Sequence, residues 1–396
     1  MNKNEEISSY TTGNTEDSGL DAHVLETASG GKSQIAFTIL KLLGAIYIFL
    51  VSLKLMSAGL GLLGGKIAEN LLSITTFPFI ALFIGILATA IIQSSSTITT
   101  IIVALVASGE ISLANAIPMI MGANIGTAVT STIVSLGHIG NRDEFEGAVS
   151  GASVHDFFNI LIVVILLPLE LFTGFLEKSS LLFASWFEIK NGIVFTDSLS
   201  LLTKSSEWIL ALFNNNPYMG LFGGVLLLFI SLRLLTYILK NLLVGVREQN
   251  MNKYVFGRPF RSLLMGFLTT AAIQSSSVTS SLMVPLVATR KVSLERAFNF
   301  LMGANIGTTS TVIIAALFLG MEGGASALAC AFVHLLFNLF GVFLLFPFEK
   351  LRTLPVNLAK GLGKYARKSR FYGIAYVISV FFIIPFILIA ITTDFL

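Results

Sequence analysis

The sequence predicts an all-α polytopic membrane protein: two inverted-topology repeats with re-entrant helical hairpins and broken helices. Three observations carry that expectation. Of 396 residues, 54% are hydrophobic and only 12% charged, with a mean hydropathy of +0.84, too apolar for a soluble domain of this length. Apolar stretches near residues 37–63, 147–172, 216–240 and 371–393 reach the roughly 20 residues a helix needs to cross a bilayer. They do not alternate as barrel strands would, so helices must satisfy the backbone in hydrocarbon. Third, the chain repeats itself.

Adding 181 to each position from Leu87 to Thr127 gives Leu268 to Thr308 without a gap, and about half the positions are identical. Gln93-Ser94-Ser95-Ser96 falls on Gln274-Ser275-Ser276-Ser277, and "MGANIGT" ending at Thr127 falls on "MGANIGT" ending at Thr308. With the offset relaxed to 179, "FLVSLKLM" from Phe49 resembles "LFISLRLL" from Leu228, and "VHDFFN" from Val154 resembles "VHLLFN" from Val333. Two related halves are a recurrent plan of transporters.

In chain order, residues 1–36 are polar and rich in Ser, Thr and Gly, with no basic start or cleavable apolar core; a disordered cytoplasmic tail is expected, not a signal peptide. Repeat one covers 37–175: a helix at 37–63, a re-entrant hairpin over 77–108 entered near Pro78, then crossings at 112–136 and 147–172. An extracytoplasmic linker is expected over 176–215, repeat two over 216–350, and a basic interfacial segment with a terminal helix over 351–396. The lone Cys330 lies in an apolar run, forms no intrachain disulfide and packs as a small apolar residue.

Charge sets the orientation. Basic groups at Arg247–Arg261, Arg290–Arg296 and Lys350–Arg370 flank apolar runs and face the cytoplasm by the positive-inside rule, a reading that leaves no need for nucleic acid. The segment after the first helix of repeat one carries only Lys66, whereas its counterpart holds the Arg247–Arg261 group. The repeats therefore cross in opposite senses, and the site is expected where they meet near the bilayer midplane.

A glutamine and hydroxyls inside such runs need a reason. A lone "SSS" returns hydrogen bonds to its own helix. Two QSSS runs, each followed 31 residues after the glutamine by the Asn of "GANIGT", point instead to binding. Hydroxyls and free amides at the start of a half-helix hold an anion; glutamine, serine and threonine oxygens suit an alkali cation. Neither motif contains Lys or Arg. An anion held without a fixed cation binds firmly only with its co-ions, so coupling follows. Thr127 and Thr130, like Thr308 and Thr311, sit at i, i+3 on one helix face. Asp156, whose counterpart is Leu335, is a carboxylate deep in a membrane helix, a functional candidate with sodium as its partner. His155 and His334 recur in the repeat and are read as structural hydrogen-bonding groups rather than a proton relay.

The twin QSSS runs, the GANIGT segments and "VHDFFN" together resemble the type II sodium-dependent inorganic phosphate cotransporter family, over about 37–350. The resemblance implies symport of phosphate, divalent and electrogenic, with sodium as co-substrate, sodium as the only metal and no cofactor. It implies phosphate among Ser94, Ser95, Ser96, Ser275, Ser276 and Ser277, with Asn124 and Asn305 beside them. One sodium site uses Gln274, Ser275, Thr308 and Thr311, matched in the first half by Gln93, Thr127 and Thr130; Asp156 holds another sodium with Asn159 beside it. The linker here is short, cysteine-free and lacks the N-x-S/T site of animal members, which implies a bacterial inner-membrane protein; a homodimer is compatible with it. Sulfate or arsenate in place of phosphate, an anion channel, and an intramembrane serine hydrolase using His155 or His334 are the alternatives. The duplicated serines and the lack of a G-x-S-x-G turn argue against the hydrolase.

Overall fold

The computed structural model describes residues 32–63, 75–187, 196–243, 255–323 and 325–393, and within them the chain is helical with no strand. The expected tail through residue 31, Lys66 and the Arg247–Lys253 part of the first basic group lie outside the described residues.

The first half contains α1 (Lys32–Leu63), α2 (Pro78–Ile92), α3 (Ser95–Ala107), α4 (Leu113–Gly126), α5 (Val129–Ser135) and α6 (Arg142–Thr173). After α7 (Phe175–Phe187) and α8 (Thr196–Leu212) the second half follows as α9 (Pro217–Leu243), α10 (Pro259–Ile273), α11 (Ser276–Ala288), α12 (Leu294–Gly323) and α13 (Ala325–Leu345). The chain closes with α14 (Glu349–Lys368), α15 (Arg370–Ile378) and, after a π-helical turn, α16 (Ile384–Thr393). Among the described residues, seven helical segments are long and apolar enough to cross a membrane, so the protein is an all-α polytopic membrane protein.

The four helices carrying the QSSS breaks are shorter. At about 1.5 Å per residue, the 15 residues of α2 and 13 of α3 reach about 22 and 20 Å, short of the roughly 30 Å hydrocarbon core. Each pair is thus two half-length helices joined at the break, and α10 and α11 repeat its lengths residue for residue. Pro78 and Pro259 open the first arms at a position where a missing N–H costs nothing.

Each first arm is fixed by backbone contact. A Cβ at Gly85 would lie 2.1 Å from the carbonyl oxygen of Met119, and one at Gly122 2.0 Å from that of Leu82. At the equivalent positions, Gly266 meets Phe300 O at 1.9 Å and Gly303 meets Leu263 O at 1.8 Å. Only glycine lets α2 lie this close to α4, and α10 to α12.

The second arms pack elsewhere. α3 lies against α12 and α13 of the second half, and α11 against α5 and α6 of the first. Each motif-bearing second arm thus reaches into the other half while keeping contact with its own, α3 with α4 and α11 with α12.

Two asymmetries depart from a uniform repeat. The crossing expected at 112–136 is interrupted at Thr127–Ala128, between α4 and α5, whereas α12 runs unbroken from Leu294 to Gly323. The basic stretch after residue 350 folds as α14, which lays Val356, Ala359, Gly363 and Ala366 inward, packs along α6 and pairs Arg367 with Asp143 at 2.7 Å. Cys330 is buried and unpaired, as expected.

Candidate functional site

The QSSS motif breaks its helix by division of labour. Gln93 ends α2 in the left-handed region (φ 59°, ψ 28°), its N–H bonded to Thr89 O at 2.7 Å. Ser94 is extended (φ −149°) and caps α3, its Oγ accepting the Thr97 N–H at 3.3 Å. Gln274 (φ 55°) and Ser275 (φ −149°) repeat this geometry, with Ser275 Oγ accepting from Val278 N at 3.4 Å. A left-handed non-glycine residue costs of order 1–2 kcal/mol. Spending it twice at the same motif position marks a conformation the fold requires.

Beyond these caps, the backbone bonds of α3 and α11 begin at Ile98 and Thr279. The amides of Ser95, Ser96, Ser276 and Ser277 thus point out of the helix ends with the positive end of the dipole behind them.

The two breaks face one cavity of about 530 Å³, lined by Gln93 to Thr97 and Gln274 to Val278. They touch directly, Ser277 Oγ donating to Gln93 O at 3.3 Å. Ser95, Ser96 and Ser276 are buried. Thr130 also lines the cavity. The remaining wall comes from Ser281 and Leu282 of α11 and from α9, which contributes Phe229, Leu232, Arg233 and Tyr237.

Arg233 corrects the expectation of a site with no fixed cation. Its guanidinium stacks on Phe229, 4.9 Å from the ring centroid, and among the described residues it has no carboxylate partner. The motifs contain no basic residue; a neighbouring helix supplies one. The signal lay in the extended repeat, where "SLKLM" over "SLRLL" sets Arg233 opposite Lys54.

Asn124 and Asn305 stand behind the cavity, not in its lining. Each is held by the histidine of the other half: His155 Nε2 bonds Asn305 Oδ1 in a short contact, and His334 Nε2 bonds Asn124 Oδ1 at 3.2 Å. Asn159 joins them, donating to Asn124 O at 2.7 Å and accepting from Asn305 Nδ2 at 2.9 Å. Asn338 adds a bond to Asn124 Oδ1 at 3.2 Å. With both imidazoles turned to asparagines, no motif serine has a hydrogen bond to a histidine base among the described residues.

The threonines divide. Thr127 and Thr308 return their hydroxyls to Ala123 O and Ala304 O, each at 2.9 Å. The hydroxyls of Thr130 and Thr311 are buried and have no partner. The same holds for two further pairs related by the 181-residue offset, Thr89 with Thr270 and Thr100 with Ser281. Buried hydroxyls are ordinarily bonded, and three repeat-related exceptions call for a bound ion or water. Sequence reasoning named only one of these pairs.

Asp156 is fully buried and sits apart from the cavity. Its Oδ2 accepts from Tyr376 Oη of α15 at 3.1 Å and its Oδ1 has no partner.

A family model described as Na+/Pi-cotransporter matches residues 48–186 and again residues 226–363. The chain belongs to the Na+/Pi-cotransporter family. Each match in this Na+/Pi-cotransporter chain holds one QSSS break and one GANIGT segment, while Tyr376 lies beyond both. The sodium-dependent phosphate transport protein 2B of Homo sapiens is 32% identical over 442 positions, covering 88% of this chain and 64% of that protein. Protein 2A of Rattus norvegicus is 33% identical, covering 89% of the chain and 68% of the relative, and protein 2A of Ovis aries 34%, covering 88% and 67%. The chain spans a little under two thirds of the human relative's length. No solved structure matches it.

Proposed function

We propose that this protein is a sodium-coupled symporter that imports inorganic phosphate, as the divalent anion and with net inward movement of positive charge. The observation that carries the reading is the meeting of two capped helix breaks in one cavity. Outward amides and hydroxyls of Ser94, Ser95, Ser96, Ser275, Ser276 and Ser277 surround the anion, and Arg233 on the wall strengthens its hold.

Sodium takes neutral oxygens. Thr130 and Thr311, with their free hydroxyls, are the favoured ligands of two repeat-related sites, joined by Gln93 in one and by Gln274 and Ser275 in the other. Thr127 and Thr308 share those helix faces and complete the sites by exchanging their carbonyl bonds for the ion. Asp156 holds a further sodium through its free Oδ1, in place of a direct role at the phosphate cavity. Asn124, Asn305 and Asn159 act by bracing the cavity from behind. Each net charge carried inward gains about 2.3 kcal/mol per 100 mV.

The repeats, 37–175 and 216–350, are read as inverted in the membrane, with the N-terminus cytoplasmic and the linker outside, in a bacterial inner membrane. The test is radiolabelled phosphate uptake into proteoliposomes with and without an inward sodium gradient. Uptake indifferent to sodium would sink the proposal, and competition by sulfate equal to that by phosphate would redirect it to another oxyanion.

A further inference from the structure

A second cavity, of about 350 Å³, lies where α10, α12 and α14 begin and shares no lining residue with the QSSS cavity. Arg258, Arg296 and Arg352 all line it. Arg258 is also the residue that opens α10, and neither α10 nor α14 has a side-chain cap. Three helix N-termini thus direct amides and positive dipole ends at one space, two of them uncapped.

The charge is not cancelled from within. Glu295 is on the wall too, but its charge is offset by Lys360, bonded to it at 2.5 Å from outside the lining. Glu349 is the one other carboxylate on the wall. Three guanidiniums against that single free carboxylate leave a surplus of about two positive charges, a match for a dianion.

An independent observation points to a missing ligand. Asn299 lines the same cavity, is only 5% exposed, and its side-chain oxygen has no hydrogen-bond partner. A buried amide end left unpaired is destabilising unless something binds it. A dianionic phosphate monoester has no O–H to give, and serves with the amide reversed, by accepting from the N–H2.

We propose that this cavity is a second anion site that takes a phosphate monoester group, presented by an anionic lipid headgroup or by a soluble phosphate. It lies among residues that the positive-inside rule assigns to the cytoplasmic face. A bound phosphate there fastens the start of the amphipathic α14 to the first turns of α10 and α12.

The test uses the full chain in phosphatidylcholine nanodiscs, carrying Ser95→Ala and Ser276→Ala so that binding at the QSSS cavity is disabled. Phosphatidic acid retention, read by native mass spectrometry, and radiolabelled phosphate binding are measured side by side. At least one probe is expected to bind, and Arg258→Gln with Arg352→Gln is expected to weaken it about tenfold or more. Retention of phosphatidic acid that free phosphate does not displace assigns the lipid; displacement assigns the soluble anion. Asn299→Leu guards against a folding artefact, because replacing an unpartnered amide with an apolar group holds or raises the melting temperature of the ligand-free protein. That variant is expected to lose the stabilisation the probe confers. Failure of both probes to bind overturns the proposal, as does affinity untouched by the arginine changes or a stabilisation that survives Asn299→Leu. None of these outcomes depends on whether the protein transports phosphate.

Discussion

His334 Nε2 lies 3.2 Å from Asn124 Oδ1, so the histidine of the second half grips the "GANIGT" asparagine of the first, and His155 grips Asn305 in return. The reciprocity is not complete. Asn124 Oδ1 has a second donor in Asn338, whereas among the described residues His155 is the only side chain bonded to Asn305 Oδ1. His155→Ala is therefore expected to cost about 1–3 kcal/mol for the orphaned oxygen, and His334→Ala distinctly less. Thermal unfolding in detergent compares them, and equal losses would count against the network as drawn.

Gly303→Ala pushes a methyl to within 1.8 Å of Leu263 O, and Gly122→Ala to within 2.0 Å of Leu82 O. Backbone cannot yield as a side-chain tip can, so each is expected to destabilise by at least about 1–3 kcal/mol. Gly361→Ala, where a methyl meets open space on α14, is the control and is expected to hold or raise stability. Size-exclusion profiles and melting temperatures of the three variants decide it.

Asp156→Gly is expected to abolish phosphate-evoked current in proteoliposomes while some uptake survives. Tyr376→Phe removes the hydroxyl that occupies Asp156 Oδ2, and is expected to retain the current with half-saturation at lower sodium. A current unchanged by the glycine, or a sodium curve unmoved by the phenylalanine, separates Asp156 from the ion path.

Arg233→Gln is expected to raise the half-saturating phosphate concentration about tenfold, equivalent to about 1.4 kcal/mol. The exposed guanidinium is screened by salt, so the difference should shrink as ionic strength rises. Uptake kinetics at two salt concentrations check both statements, and no change at either removes Arg233 from the anion's surroundings.

Gln274→Ala, by contrast, is expected to weaken apparent sodium affinity and leave the phosphate curve at saturating sodium little changed. A sodium titration identical to wild type would exclude Gln274 as a ligand.

What the sequence revealed tracks what is local. Pro78, the polar interruption at Gln93 and the 181-residue offset were enough to locate the helix breaks, because helix starts and stops are written in consecutive residues. That glutamine takes the left-handed position while serine caps was not legible, since neither residue type demands its role. Tyr376 and the crossed His–Asn pairs were hidden for a different reason. Their partners lie 150 to 220 residues away, a distance no periodicity spans. Asn124 and Asn305 were rightly singled out as a repeated pair, and only the tertiary fold shows their amides already engaged.

The reach of α3 and α11 into the opposite halves bears on how the protein is made. When the first half has left the ribosome, α3 has no α12 or α13 to receive it, and its buried hydroxyls have no lasting berth. The nascent chain must hold this helix pair in an unfinished state until residues 294–345 are inserted. Assembly in the bilayer is then a single late closure of two interlocked pieces, and a chain stopped after Thr173 carries Gln93 to Thr97 without the Gln274 to Val278 wall that faces them.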